Sequence, residues 1–237
     1  MRINLISLFP GMFRCVFEES IIHRASCKGI IEIRLIDLRE FGLGTHRVVD
    51  DAPYGGGGGM ILRPEPIARA LESLPERGHT ILTTPRGGLF QQEDALRLSL
   101  ETDLTIICGH YEGIDERVNA LFVDEELSIG DYVLTGGEIP AMVIVDAVVR
   151  LIPSVLGKDT TATGDSHYAG LLEHPHYTRP RSFRGLAVPE VLLSGNHQRI
   201  RQWRDAQSLE KTRQMRPELL ERSLPETRPH DPGKKKP

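Results

Sequence analysis

The chain has 237 residues, 39% of them hydrophobic and 26% charged, a balance that excludes fibrous, low-complexity and disulfide-stapled proteins. No apolar run approaches the roughly 18 residues needed to span a bilayer. The formal net charge of −4 hides an asymmetry: residues 173–237 hold 14 Lys/Arg against 8 Asp/Glu, while the first 172 residues carry a net of −10. An acidic part joined to a basic one points to a polyanion met mainly by the second part.

The first segment, MRINLISLFPGMF, has one basic residue, an apolar run broken by Pro10 and no small-residue cleavage site. It therefore reads as a buried strand over residues 3–9 rather than a signal peptide. Further β-branched apolar runs predict strands over 31–36, 80–84 and 104–108. Between them, amphipathic spacing predicts helices over 64–74, 91–100 and 114–121. This alternation calls for a mainly parallel sheet covered by helices. Residues 141–152 (AMVIVDAVVRLI) are nearly all apolar and predict a helix buried on several sides, with Asp146 and Arg150 one turn apart on one face.

Residues 158–168 (KDTTATGDSHY) are small, polar and without periodicity, the composition of a linker or mobile loop. Helices are predicted over 189–193, 196–214 and 217–222, and the Pro- and Lys-rich end from 226 reads as disordered. The three cysteines, Cys15, Cys27 and Cys108, form no CxxC pair and fit reduced thiols, with Cys108 a small buried hydrophobe at a strand end. His174, His176, His197 and His230 show no metal-ligand spacing, so no metal site is assigned.

The most informative string is SIGDYVLTGGEIP, residues 128–140, just after the apolar run Leu121, Phe122 and Val123. Its glycines let backbone approach a ligand or another chain segment closely. It has neither the lysine and hydroxyl of a P-loop nor the dinucleotide fingerprint. A second glycine run, residues 55–59, follows Asp50, Asp51 and Tyr54 and is flanked by specific residues rather than linker composition.

With CGHYEGIDERV (108–118) and GLLEHPHYTRP (170–180), this string closely resembles the bacterial tRNA (guanine-N1)-methyltransferase family of the knotted SPOUT superfamily. ISLFPGMF (6–13), VDDAPYGGGGGM (49–60), IPSVLG (152–157) and VLLSGNHQRIRQW (191–203) extend the resemblance to about residue 222. The fold it implies is α/β: a mainly parallel sheet with a deep trefoil knot, plus a small all-helical C-terminal domain. The implied domains are a donor-binding domain (1–157), a linker (158–172), a helical tRNA-binding domain (173–225) and a tail (226–237).

The activity implied is methylation of N1 of guanosine 37 in tRNA, with S-adenosylmethionine as donor, by a cytoplasmic homodimer whose active site lies at the subunit interface. Guanine N1 is a poor nucleophile while it holds its proton, so a base must take that proton and positive charge near O6 must steady the anion. The resemblance carries the base to Asp165, the O6 contact to Arg150 and a third polar group to Glu112. It carries donor binding to Thr83, Thr84, Pro85, Gly109, Tyr111, Glu112, Ile129, Gly130, Asp131, Tyr132, Val133, Leu134, Gly136, Gly137 and Pro140. The string 83–87 follows a strand, where open α/β sheets bind ligands. For tRNA the candidates are Asp50, Gly55 and Gly59 near the target base and Arg179, Arg184, Arg199 and Arg201 in the basic part. Aromatic residues such as Tyr177 or Phe183 are placed to stack on a splayed base.

This chain has Gly58 where the family usually has proline, and Gly164 where an acidic residue is common. The family's reported use of Mg2+ would fit a hydrated ion shared with RNA phosphate, which leaves no motif. Two rivals are a non-catalytic RNA-binding knotted module and a ribose 2′-O-methyltransferase. The joint presence of Asp165, Arg150 and Glu112 speaks against the first, and GLLEHPHYTRP against the second.

Overall fold

The computed structural model describes residues 1–156, 165–168 and 170–222. It divides into two compact units, Met1–Asp159 and Thr160–Pro237. Of the expected linker, residues 158–164 and 169 lie outside the described residues, as does the expected tail over 226–237.

The first unit is built on a five-stranded, all-parallel sheet of β1 (Arg2–Ser7), β2 (Glu32–Asp37), β5 (His79–Leu89), β6 (Asp103–Cys108) and β7 (Glu125–Ser128), in the order β2-β1-β6-β5-β7. Strand alternation sends Ile3, Leu5, Leu104 and Ile106 to one face and Ile6 and Ile107 to the other. The first face packs against α1 (Arg14–Phe17), α2 (Ser20–Cys27), α4 (Gln92–Leu98) and α6 (Glu138–Val149). The second packs against α3 (Pro64–Glu72) and α5 (Glu116–Phe122). The α/β architecture expected from the alternating runs is present.

Three differences have local causes. The first strand stops at Ser7 because Pro10 opens a 3-10 turn, Pro10–Phe13. Helix α6 begins at Glu138, ahead of Pro140, because a proline is tolerated in a first turn whose N–H groups have no helical partner. Strand β7 (EELS) carries no apolar signal of its own; it forms because Ile81, Leu82 and Thr83 of β5 pair with Glu125, Glu126 and Leu127. The apolar run before it ends α5, where Leu121 is exposed.

β5 is also longer than the expected 80–84. After Thr83 pairs with Leu127, residues 84–87 leave the ladder, and Gly88 pairs with Leu127 again. Near the same end of the sheet, the antiparallel pair β3 (Asp50–Asp51) and β4 (Ile61–Leu62) carries the glycine run in its connection. Gly55, Gly56, Gly57 and Gly59 all have positive φ there, which only glycine adopts freely.

The second unit corrects the all-helical expectation. It contains α7 (Glu190–Leu193), α8 (His197–Met215) and α9 (Glu218–Arg222), but also an antiparallel hairpin of β8 (Ser182–Phe183) and β9 (Leu186–Ala187). Its two-residue turn, Arg184–Gly185, has φ values of 50° and 85°, the positive pair that matches the twist of flanking strands. The turn lacks the usual Asn-Gly or Asp-Gly signal, so pattern alone did not reveal it.

Candidate functional site

A cavity of about 1170 Å³ opens at the C-terminal ends of β5, β6 and β7. Loops following parallel strands converge there, the position where open α/β sheets take ligands. One wall is the excursion 84–87 and the turn after β6; the other is the glycine-rich segment between β7 and α6.

These walls are tied together. The N–H of Gly137 donates to the carbonyl of Gly109 at 2.7 Å, and His110 bridges to Gly136. The Thr83 hydroxyl lies 3.2 Å from the carbonyls of both Ile107 and Gly137. A Cβ on Gly137 would stand 2.2 Å from Thr83 Oγ1, so only glycine allows this approach. His110 is braced by the Phe9 ring at 5.1 Å, and its Nδ1 accepts the N–H of Tyr111.

The lining is mixed. Pro85, Ile129, Tyr132, Val133, Leu134 and Pro140 give apolar walls, of which Tyr132, Val133 and Leu134 remain exposed. On the opposite rim, Arg63 bridges Asp51 and Glu65, and Arg117 bridges Asp115. Arg117 holds the Asp115 carboxyl below its usual range. Glu116 is likewise lowered, first by the Asn119 amide and then by Arg86. Behind the cavity, burial pushes the Cys108 thiol well up, with a further contribution from the charge of Glu138, so Cys108 is an inert core residue.

Fourteen of the fifteen residues expected to bind the donor line this cavity, Glu112 among them. The exception is Asp131, which is exposed beside it. Gly59 packs so closely on Glu112 that a Cβ there would meet its side chain at 2.4 Å. Asp50, Gly55 and Gly59 are not among the lining residues, whereas Asp51 and Tyr54 are. Arg150 caps the far end of α6, about 18 Å along the axis from Glu138 at the helix rise per residue. It does not line the cavity of its own unit.

Sequence reasoning passed over Arg63, Glu65, His110, Asp115 and Arg117 as lining residues, while Arg86 lies within the string 83–87 that it gave to the donor pocket. The signal was their place in or next to the quoted strings. It also left Glu138 without a role, although that buried carboxylate sits inside the SIGDYVLTGGEIP string.

The second unit places Asp165 at the start of a turn: the Tyr168 N–H donates to its carbonyl, and Glu173 N–H donates to Ser166 Oγ at 2.9 Å. The following segment is clamped to α8, where Ser208 Oγ donates to the Leu172 carbonyl and Leu172 N–H donates to Thr212 Oγ1. Arg179, Arg184, Arg199 and Arg201 are all exposed. The Arg184 guanidinium lies 5.3 Å over the Phe183 ring at the hairpin tip.

The cavity fits a nucleoside bearing a cationic, amino-acid-like arm. Backbone edges and apolar walls suit the base, and Glu112 adds a carboxylate to the lining. For Mg2+ there is no comparable fit: among the described residues no group of three or more His, Cys, Asp or Glu is placed to hold an ion. Among them too, no helix is long and apolar enough to cross a membrane.

The family model described as tRNA (Guanine-1)-methyltransferase TrmD matches residues 1–222. Relatives named tRNA (guanine-N(1)-)-methyltransferase include that of Geotalea uraniireducens, 55% identical over 223 residues, covering 93% of this chain and 90% of the relative. That of Desulforamulus reducens is 53% identical over 225 residues, covering 93% and 89%. That of Geobacillus kaustophilus is 53% identical over 224 residues, covering 93% and 92%.

Proposed function

The chain belongs to the tRNA (guanine-1)-methyltransferase family, and from that membership we propose that it methylates N1 of guanosine 37 of tRNA, next to the anticodon, using S-adenosylmethionine. The observation that carries the reading is the coincidence of fourteen expected donor residues around one cavity at the C-terminal edge of the sheet. Bound there, the donor supplies a methyl group activated by a sulfonium.

The protein's tasks are alignment and proton removal. Asp165 accepts the N1 proton as the nitrogen lone pair takes the methyl. Arg150 places positive charge at O6, and Glu112 orients the arm of the donor. Arg179, Arg184, Arg199 and Arg201 grip the RNA backbone, while Asp50, Gly55 and Gly59 shape the approach of the target base. A hydrated Mg2+ on RNA phosphate belongs to the same reading, and no step runs through it.

A homodimer with a shared site is part of this proposal. Arg150 stands a helix length from the cavity of its own unit, which favours a partner copy supplying the base-handling groups. Phe9, Met12 and Val16 are exposed large apolar side chains, as are Ile139 and Val143 on α6, and α6 packs against Pro10–Phe13. A covering second copy accounts for that apolar surface. The trefoil knot is proposed with it, supported by the close tying of Thr83, Gly109 and Gly137. A cytoplasmic location follows from a tRNA substrate.

The test is transfer of labelled methyl from S-adenosylmethionine to an unmodified transcript, beside one with guanosine 37 replaced. Methylation of the first alone supports the reading. Label on neither, with folded protein, sinks it and leaves the RNA-binding module. Mass spectrometry of the nucleoside separates base from ribose methylation.

A further inference from the structure

Glu138 is 1% exposed, yet it carries a carboxylate. Its Oε1 accepts the Ser7 hydroxyl at 2.7 Å, and Ser7 Oγ in turn accepts the Phe9 N–H at 2.8 Å. Among the described residues no cationic side chain lies within ion-pair distance of it. The first turn of α6 offsets its charge only in part. The carboxylate sits directly behind a cavity wall: a Cβ on Gly136, which lines the cavity, would stand 2.5 Å from Glu138 Oε2.

A buried, incompletely compensated negative charge acts over several ångströms with little screening, unlike the exposed Glu112 and Glu116 on the rim. It favours a cation entering the cavity. The donor and its demethylated product differ in one respect that such a charge reads: the donor's sulfur is a sulfonium, the product's a neutral thioether. We propose that Glu138 is the fixed counter-charge by which the cavity prefers the cationic methyl donor to its neutral product. The inference rests on the donor named above and makes Glu138 a specificity residue that touches neither reacting atom.

The experiment is titration calorimetry of the full chain, without RNA, against S-adenosylmethionine and S-adenosylhomocysteine, for wild type and Glu138→Gln. Glutamine keeps the shape and an acceptor for Ser7. The donor should lose about tenfold in affinity and the product less than about twofold, so their ratio collapses. Equal losses, or none, overturn the inference while the donor reading stands. Wild type that binds neither ligand overturns both. Should circular dichroism show Glu138→Gln unfolded, the Glu112→Gln protein, which lacks the exposed carboxylate of the lining, decides with a donor analogue bearing an ammonium in place of the sulfonium. Binding about tenfold tighter than the neutral product supports the counter-charge, and equal binding removes it.

Discussion

The two units are held together by different means. Among the described residues every buried apolar side chain except Leu219 belongs to the first unit, where two clusters sandwich the sheet. The second unit has a nineteen-residue helix, α8, of which only Thr212 is buried. Its segment 170–172 is fastened to that helix by hydrogen bonds rather than by a core. The first unit is therefore specified by burial and can hold a rigid cavity. The second relies more on polar contacts and leaves Arg179, Arg184, Arg199 and Arg201 exposed.

The comparison is broken most severely at Asp165. Asp165→Ala should lower single-turnover methylation by about 10²- to 10⁴-fold while donor affinity by calorimetry stays within about twofold. Equal loss of both would make Asp165 a structural residue. Next comes the core contrast: Ile106→Ala should cost about 2–5 kcal/mol in denaturant unfolding and Leu219→Ala about half as much. Similar losses would mean the second unit has a core comparable to the first. Third, replacing Arg199 and Arg201 together with alanine should weaken tRNA binding and flatten its dependence on log salt, by about one unit for each phosphate left unneutralised. An unchanged slope would move the RNA surface elsewhere.

The smallest effect concerns Asp115. Its carboxyl is held below the ordinary value of 3.8 by Arg117, so its contribution is present above about pH 4 and fades as pH falls through the lowered folded value. Asp115→Asn should cost less than about 1 kcal/mol at pH 7, because Arg117 is largely exposed, and less again at pH 2. Urea melts at the two pH values check it; an equal loss at low pH would assign the effect to packing.

Legibility followed the same divide. Strands over 80–84 and 104–108 were readable because burial on both faces selects continuous apolar runs, and the half-buried edge strand over 31–36 because Ile31, Ile33 and Leu35 alternate with charged residues. Strand β7 was not, because its Glu125 is satisfied by residues far away in sequence: His79 and Arg97 both pair with it. The Arg184–Gly185 hairpin was hidden because an arginine holds a positive φ there. In the site, the loops after β5, β6 and β7 were legible as glycine-rich strings at strand ends. That Asp131 stays out of the lining and Arg150 stands at the far end of α6 depends on packing, which spacing along the chain does not encode.

The excursion in β5 has a consequence for how such a cavity changes. Because Thr83 and Gly88 both pair with Leu127, the ladder keeps its phase whatever lies between them. A residue added to or removed from 84–87 would reshape the mouth of the cavity without sliding any strand. The sheet thus insulates the hydrophobic clusters from experiments in ligand preference. Gly87 marks the limit of that freedom, since a Cβ there would collide with the backbone of Glu126 and Leu127. Loop grafts that keep Gly87 and Gly88 and vary the three residues before them are the economical route to a re-tuned pocket.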